Sequence, residues 1–314
     1  MPLHAANTMI DPSPAAALAA PLAPFRGTRV ELELHGATAV VRLSNPPQGF
    51  MDEAMEAELE QVLARLDDPA CWPEGRVVVL TGGDPGVFVR HYDVGLLHRR
   101  ATAMRTRGKT FSLERPVPEA GIHRCIERID RSRLVFIAAV NGTAMGGGFE
   151  LALGCDLRVV QRGAHQLGLP ELNLGLLPGA TGTQVLAQVL GPALALQCLL
   201  TARVFRPEEL PPLGLAVACV DDALAHALQL AAQLQAVPGR ACAHIKRLVR
   251  NAPRWPRAEG LAAERTLFCD CMVDPEAEPL MAAVTEGRRT IADKPPHPST
   301  ALRPAQPPTA ATSG

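Results

Sequence analysis

The stretch Ile137-Ala-Ala-Val-Asn-Gly-Thr-Ala-Met-Gly-Gly-Gly-Phe-Glu-Leu-Ala-Leu-Gly-Cys-Asp156 decides how this chain is read. Its apolar opening continues the run 133–140 and predicts a buried strand. The strand empties into Gly146-Gly147-Gly148, and a short helix at 150–155 follows. Residues without side chains let a ligand come close to the backbone. The first amides of a helix have no internal partner and point outward at the positive end of its dipole, where they favour a developing anion. Glu150 falls on the first turn of that helix and faces the same space. Taken alone, the triplet also reads as a plain tight turn, and Glu150 as a carboxylate that merely suits the dipole.

Working outward, residues 30–34 and 38–43 predict two strands. A helix follows with Met55, Leu59, Val62, Leu63 and Leu66 on one face and Pro69 past its end. Residues 76–81 predict a buried strand ending in the turn Gly82-Gly-Asp-Pro-Gly86, and 156–160 a further strand. Between them, 90–109 is strongly basic, with Arg99, Arg100, Arg105 and Arg107 against Asp93, and predicts a surface loop and helix. Continuous apolar strands alternating with helices imply an α/β class with a parallel sheet. From Asp221 on, strand signals stop and helices are predicted near 222–235, 239–251, 256–272 and 275–292. The expected organisation is a disordered Ala/Pro-rich tail at 1–27, an α/β core at 28–218, a helical region at 219–292 and a Pro-rich disordered tail at 293–314. No internal sequence repeat is visible.

With 314 residues, 47% of them hydrophobic, the chain is long enough for a sizeable core. A net charge of -1 with mixed signs and only 4% aromatic residues gives no reason to expect a nucleic acid or an acidic membrane surface as partner. No apolar run approaches the ~20 residues of a membrane span. Among the eight cysteines only Cys269 and Cys271 lie close together, without a second pair at zinc spacing, so no metal site is expected. Buried reduced thiols and a cytoplasmic location are the expectation.

Downstream stands Leu169-Pro-Glu171-Leu-Asn-Leu-Gly-Leu-Leu-Pro178-Gly-Ala-Thr-Gly-Thr-Gln184, and upstream Phe88-Val-Arg-His-Tyr-Asp93. With the glycine-rich segment between them, these resemble the crotonase (enoyl-CoA hydratase/isomerase) superfamily across about 28–290, most specifically over 134–191. The resemblance implies a spiral of ββα repeats with a helical C-terminal region that assembles trimers or pairs of trimers. It implies a lyase of fatty-acid metabolism acting on an acyl-CoA, with no cofactor beyond the coenzyme A of its substrate. By position, the Tyr92 and Gly147 amides would form an oxyanion hole for the thioester carbonyl. Phe88, Tyr92, Asp93, Val94, Gly95, Gly146 and Gly147 would contact the acyl-CoA. Glu150 and Glu171 match both carboxylates of the hydratases, with Glu171 serving the Cα proton and Glu150 the water. Two carboxylates in one apolar cleft supply an acid and a base, because burial and mutual repulsion raise at least one pKa.

Three features depart from the family pattern. Arg90-His91 replaces a small Ala-Gly pair, which predicts about 1–2 kcal/mol of strain if residue 91 adopts positive φ, and adds a titratable ring near the reacting carbons. Pro211-Pro212 should cut short a helix at 207–214. The basic stretch 90–109 reads either as a solvated helix face or as a contact for CoA phosphates. Other crotonase reactions (double-bond isomerisation, thioester hydrolysis, C–C cleavage) and a catalytically silent trimeric subunit remain alternatives to hydration.

Overall fold

The computed structural model describes residues 20–294; most of both expected tails, 1–19 and 295–314, lies outside the described residues. The remainder of the first is not a free tail. Strand β1 (Phe25–Arg26) pairs antiparallel with β2 (Val30–His35), and Leu22 donates its amide to the Cys71 carbonyl at 2.8 Å, so the core starts before residue 28.

Successive ββα units then wind along the chain. Strands β2 and β3 (Thr38–Leu43) lead into α1 (Glu53–Asp67). Strands β4 (Val77–Gly82) and β5 (Val87–Val89) lead into α2 (Val94–Thr106), after which α3 (Gly121–Arg131) precedes the next unit. That unit is β6 (Val135–Val140), β7 (Thr143–Met145) and α4 (Gly147–Gly154). Strands β8 (Leu157–Gln161) and β9 (Leu167–Gly168) follow, then a single 3-10 turn at Glu171–Leu174, α5 (Gly182–Leu190) and α6 (Pro192–Leu200). Strands β10 (Val204–Phe205) and β11 (Ala218–Val220) complete the sheets before α7 (Ala223–Gln235), α8 (Gly239–Asn251), α9 (Arg257–Met272) and α10 (Glu278–Thr285). Between β10 and β11, Pro207–Glu209 and Pro211–Leu213 form only 3-10 turns, as two prolines without amide donors require.

Strand β1, both strands of the first unit, the first strand of each later unit and β11 join a seven-stranded sheet of order β1-β2-β3-β4-β6-β8-β11, parallel from β3 onward. The second strands of the later units, β5, β7 and β9, form a separate sheet with β10, of order β10-β9-β7-β5. Strand residues alternate between two cores, as a period of two demands. Val78, Leu80, Phe136 and Ala138 face inward onto α1 and α4, including Leu59, Leu63 and Phe149. Val77, Val79, Ile137 and Ala139 face the other way, onto a stripe of Ala223, Ala227 and Ala231 on α7. Four-residue spacing of small side chains lets α7 lie close against the sheet.

Helix α1 follows the sequence pattern: the Asp52 carboxylate caps it by accepting from the Met55 amide at 2.8 Å, and its predicted apolar face is buried. The C-terminal helices are tied to the core by charge. Lys246 of α8, with 5% of its side chain exposed, sits 2.9 Å from the Asp156 carboxylate and donates to the Ile129 and Leu134 carbonyls at 2.7 Å each. Arg250 donates to Asp156 Oδ1 at 3.0 Å and to the Gly154 carbonyl at 2.8 Å. The last helix is shorter than the expected 275–292, and the cysteines are less buried than expected. All eight are free, but only Cys125, Cys155 and Cys198 are buried, and Cys269 is exposed.

Candidate active site

The second, smaller sheet positions the site. Strand β7 ends at Met145, and Gly146 turns the chain with φ 51° and ψ -130°, a region an L side chain rarely enters. Two residues on, a Cβ on Gly148 would lie 2.0 Å from the Val89 carbonyl oxygen, so only glycine allows α4 to start hard against β5. That contact brings the 89–93 loop beside the first turn of α4. A Cβ on Gly147 would stand 3.4 Å from the Tyr92 Cβ.

Tyr92 bridges to Met51, and the pairing uses its neighbours: Met51 donates to the His91 carbonyl and Asp93 donates to the Met51 carbonyl, both at 2.9 Å. The Tyr92 N–H therefore points to the other side. Neither it nor the Gly147 N–H donates to a protein acceptor among the described residues.

A cavity of about 600 Å³ opens in front of these amides, and Tyr92, Val94, Gly146, Gly147, Glu150 and Glu171 all line it. His91 of the altered loop lines it too, whereas Phe88, Asp93 and Gly95 do not reach its wall. Phe88 is 1% exposed within the core, Asp93 caps α2 by accepting from the Leu96 amide at 3.1 Å, and Gly95 lies further along that helix. Glu56, Ile122 and His123 also line the cavity and were not anticipated. A signal existed for Glu56. It shares the apolar face of α1 with Leu59 and Leu63, and buried it accepts from the Ile122 amide at 3.0 Å. The Tyr92 hydroxyl accepts from Arg100 at 3.3 Å, and burial together with the Glu56 charge pushes its pKa up to about 12.

The two candidate carboxylates have opposite surroundings. Glu150 is 3% exposed, and its Oε1 accepts from the amides of Ala180, Thr181 and Gly182 at 2.8, 2.9 and 2.8 Å. The last two open α5, so its dipole adds to the hydrogen bonds. Among the described residues Oε2 has no hydrogen-bond partner and is not sealed off, which leaves it as the oxygen facing the cavity. Glu171 opens the 3-10 turn with its carboxyl over the glycine turn, Oε1 lying 3.1 Å from where a Cβ on Gly146 would be. Its Oε2 is buried with no hydrogen-bond partner among the described residues. Burial, opposed by its own backbone amide and assisted by the Glu150 charge, raises its pKa from the ordinary 4.5 to about 7.

The expected strain at residue 91 is absent. Ala202 is the only non-glycine residue with positive φ among the described residues. Pairing with Met51 keeps the loop extended, and the His91 ring stacks on Phe50 at 4.4 Å while its Nδ1 donates to the Tyr92 carbonyl at 2.8 Å. The Arg90 side chain turns away and donates to the Gln48 carbonyl at 2.7 Å.

A family model described as enoyl-CoA hydratase/isomerase matches residues 33–290. The chain belongs to that family. Among similar enoyl-CoA hydratase/isomerase family proteins, a probable enoyl-CoA hydratase of Mycobacterium leprae is 38% identical over 248 residues, covering 78% of this chain and 90% of that one. The human peroxisomal bifunctional enzyme is 34% identical over 184 residues, 58% of this chain, and this chain spans only 22% of its length. A crystal structure of an enoyl-CoA hydratase from a Polaromonas species superposes with a TM-score of 0.73 at 29% identity, covering 85% of this chain and 99% of that one. Among the described residues no helix is long and apolar enough to cross a membrane, and no cluster of His, Cys, Asp and Glu could hold a metal ion.

The raised Glu171 pKa has a consequence for stability. The folded state keeps this proton up to about pH 7 while the unfolded chain releases it near 4.5, so stability declines as pH rises through that window. Glu171→Gln removes the burden. Its gain in Tm over the wild type should be near zero below pH 4.5 and largest above pH 7 in a thermal-denaturation series; a gain that did not vary with pH would contradict this.

Proposed function

We propose that this enzyme adds water across the 2,3 double bond of an enoyl-CoA thioester. The observation that carries the reading is the pair Glu150 and Glu171 lining one cavity with the two unpartnered amides of Tyr92 and Gly147. In this mechanism the amides donate to the thioester oxygen and stabilise the enolate charge; removing one such donor costs about 3–4 kcal/mol in comparable enzymes. Glu150 Oε2 takes a proton from water as the water oxygen bonds to Cβ. The π electrons move onto the thioester oxygen, and Glu171, held neutral by burial up to about pH 7, delivers its proton to Cα. The product is the 3-hydroxyacyl thioester, and the proton now on Glu150 returns to Glu171 through solvent.

One observation favours a second reading. Three amides on Glu150 Oε1 would also suit a carboxylate that only caps α5. Glu171 would then act alone, as in a double-bond isomerase, moving a proton between carbons.

We also infer assembly through the C-terminal helices, as a trimer or a pair of trimers. Helix α9 buries none of its residues in the single chain, and Phe268 on it is 65% exposed while Ile245 and Val249 on α8 are 62% and 66% exposed. Such apolar faces need a covering surface.

With crotonyl-CoA as substrate, Glu171→Gln and Glu150→Gln should each lower turnover by ~10²–10⁴-fold. Activity within a few-fold of wild type for Glu150→Gln would favour the isomerase reading. Because Arg90 and His91 are held without strain and neither is needed for proton transfer, the double change Arg90→Ala with His91→Gly should leave hydration within a few-fold. A loss of ~10²-fold, with CoA affinity intact, would instead make His91 a participant. Light scattering should return a mass that is a multiple of three times 33.4 kDa; a stable monomer would refute the assembly.

A further inference from the structure

We propose that His123 is a positioning residue for Glu150, acting through the peptide group that joins Gly179 to Ala180. The histidine stands near the start of α3, where its Nδ1 accepts from the Ala120 amide at 3.0 Å. A backbone N–H can only donate, so Nδ1 carries no proton and the ring hydrogen lies on Nε2. Nε2 therefore donates to the Gly179 carbonyl, 2.9 Å away. That carbonyl and the Ala180 N–H are the two ends of one planar unit, and the N–H donates to Glu150 Oε1 at 2.8 Å.

Holding one end of a peptide plane fixes the direction of the other. A donor on the carbonyl also polarises the amide and strengthens the bond its N–H makes. The chain therefore runs from the α3 cap through His123 and the 179–180 peptide to the carboxylate in the cavity. Little else among the described residues holds this peptide: none of their backbone N–H groups donates to the Gly179 carbonyl, and a Cβ on Gly179 would meet none of their atoms within 4 Å. The neighbouring Thr181 and Gly182 amides complete the set on Glu150, so freedom at Gly179 would reach the whole clamp. His123 touches the cavity wall as well, but both ring nitrogens are already engaged, so it has no free donor or acceptor for substrate.

This inference rests on the hydratase reading only in its kinetic arm. Three variants separate the histidine's two bonds. His123→Gln offers an oxygen for Ala120 and an N–H for Gly179 at nearly the same spacing. His123→Glu keeps the acceptor that caps α3, the usual capping-box chemistry, but has no N–H for Gly179. His123→Ala has neither; should it fail to fold, the Gln and Glu variants still decide, since both retain the cap.

Amide hydrogen exchange at Ala180, Thr181 and Gly182 is the first readout. Protection should match the wild type in the Gln variant and fall about 10-fold in the Glu and Ala variants, the scale of one ordinary hydrogen bond. Unchanged protection in the Glu variant, or a Gln variant no better than Ala, would overturn the proposal. The second readout is kinetic. For crotonyl-CoA, kcat should drop about 10-fold in the Glu variant with little change in KM, recover in the Gln variant, and show almost no further drop when Glu is added to Glu150→Gln. A full additional loss in that background would mean that His123 does not act through Glu150. If the wild type hydrates no enoyl-CoA, the hydratase reading fails by itself and the exchange data still judge the positioning.

Discussion

Everything in the site depends on how closely the first turn of α4 approaches strand β5. The Val89 carbonyl occupies the space where a Cβ on Gly148 would be, 2.0 Å away, so any other residue would push the helix off the strand. Because the contact is backbone against backbone, no rotamer change relieves it. It places the Gly147 amide opposite the Tyr92 loop, and it sets the depth at which Glu150 enters the cavity. Gly146 adds the second constraint, since its positive φ aims the helix and its missing side chain makes room for the Glu171 carboxyl.

The other end of α4 is fixed by charge. Arg250 donates to the Gly154 carbonyl, the last residue of the helix, where a cation complements the dipole. Asp156, just beyond, accepts from the Phe136 amide at 2.8 Å and pairs with both Lys246 and Arg250. Burial lowers the Lys246 pKa and the Asp156 charge opposes it, so the ion pair owes its place to the two further carbonyls that Lys246 reaches. The C-terminal helices thus hold α4 from behind while the glycine turn holds it from in front.

Sequence pattern carried the large sheet and the helices because those elements bury continuous or periodic apolar faces. Strands 38–43, 76–81 and 133–140 and the apolar face of α1 were legible for that reason. Strands β5, β7, β9 and β10 were not, since runs of two or three residues leave no period to detect, and the ββα repetition hid with them. Yet these short strands build the site. The motif residues Tyr92, Gly146, Gly147, Glu150 and Glu171 converge on one cavity, whereas Phe88, Asp93 and Gly95 share the motif without reaching the wall; they support the core and the α2 cap instead. Proximity in sequence did not separate the two groups, because only the direction of each side chain does so. His123 had no sequence signal, as its partners lie at Ala120 and, 56 positions away, at Gly179.

The cavity treats its two carboxylates unequally, and that inequality is what the proposed chemistry requires. Glu150 Oε1 accepts from three amides; Glu171 Oε2 accepts from none. The Glu150 charge shares one apolar cavity with Glu171, where it repels a second charge. That repulsion adds to burial in holding the Glu171 proton up to about pH 7. In the proposed mechanism, a base beside a neutral acid depends on the amide clamp at 180–182 as much as on the glutamates themselves. The two carboxylates are therefore linked: three amides fix where Glu150 stands, and the Glu150 charge is one of the forces that keep the Glu171 proton.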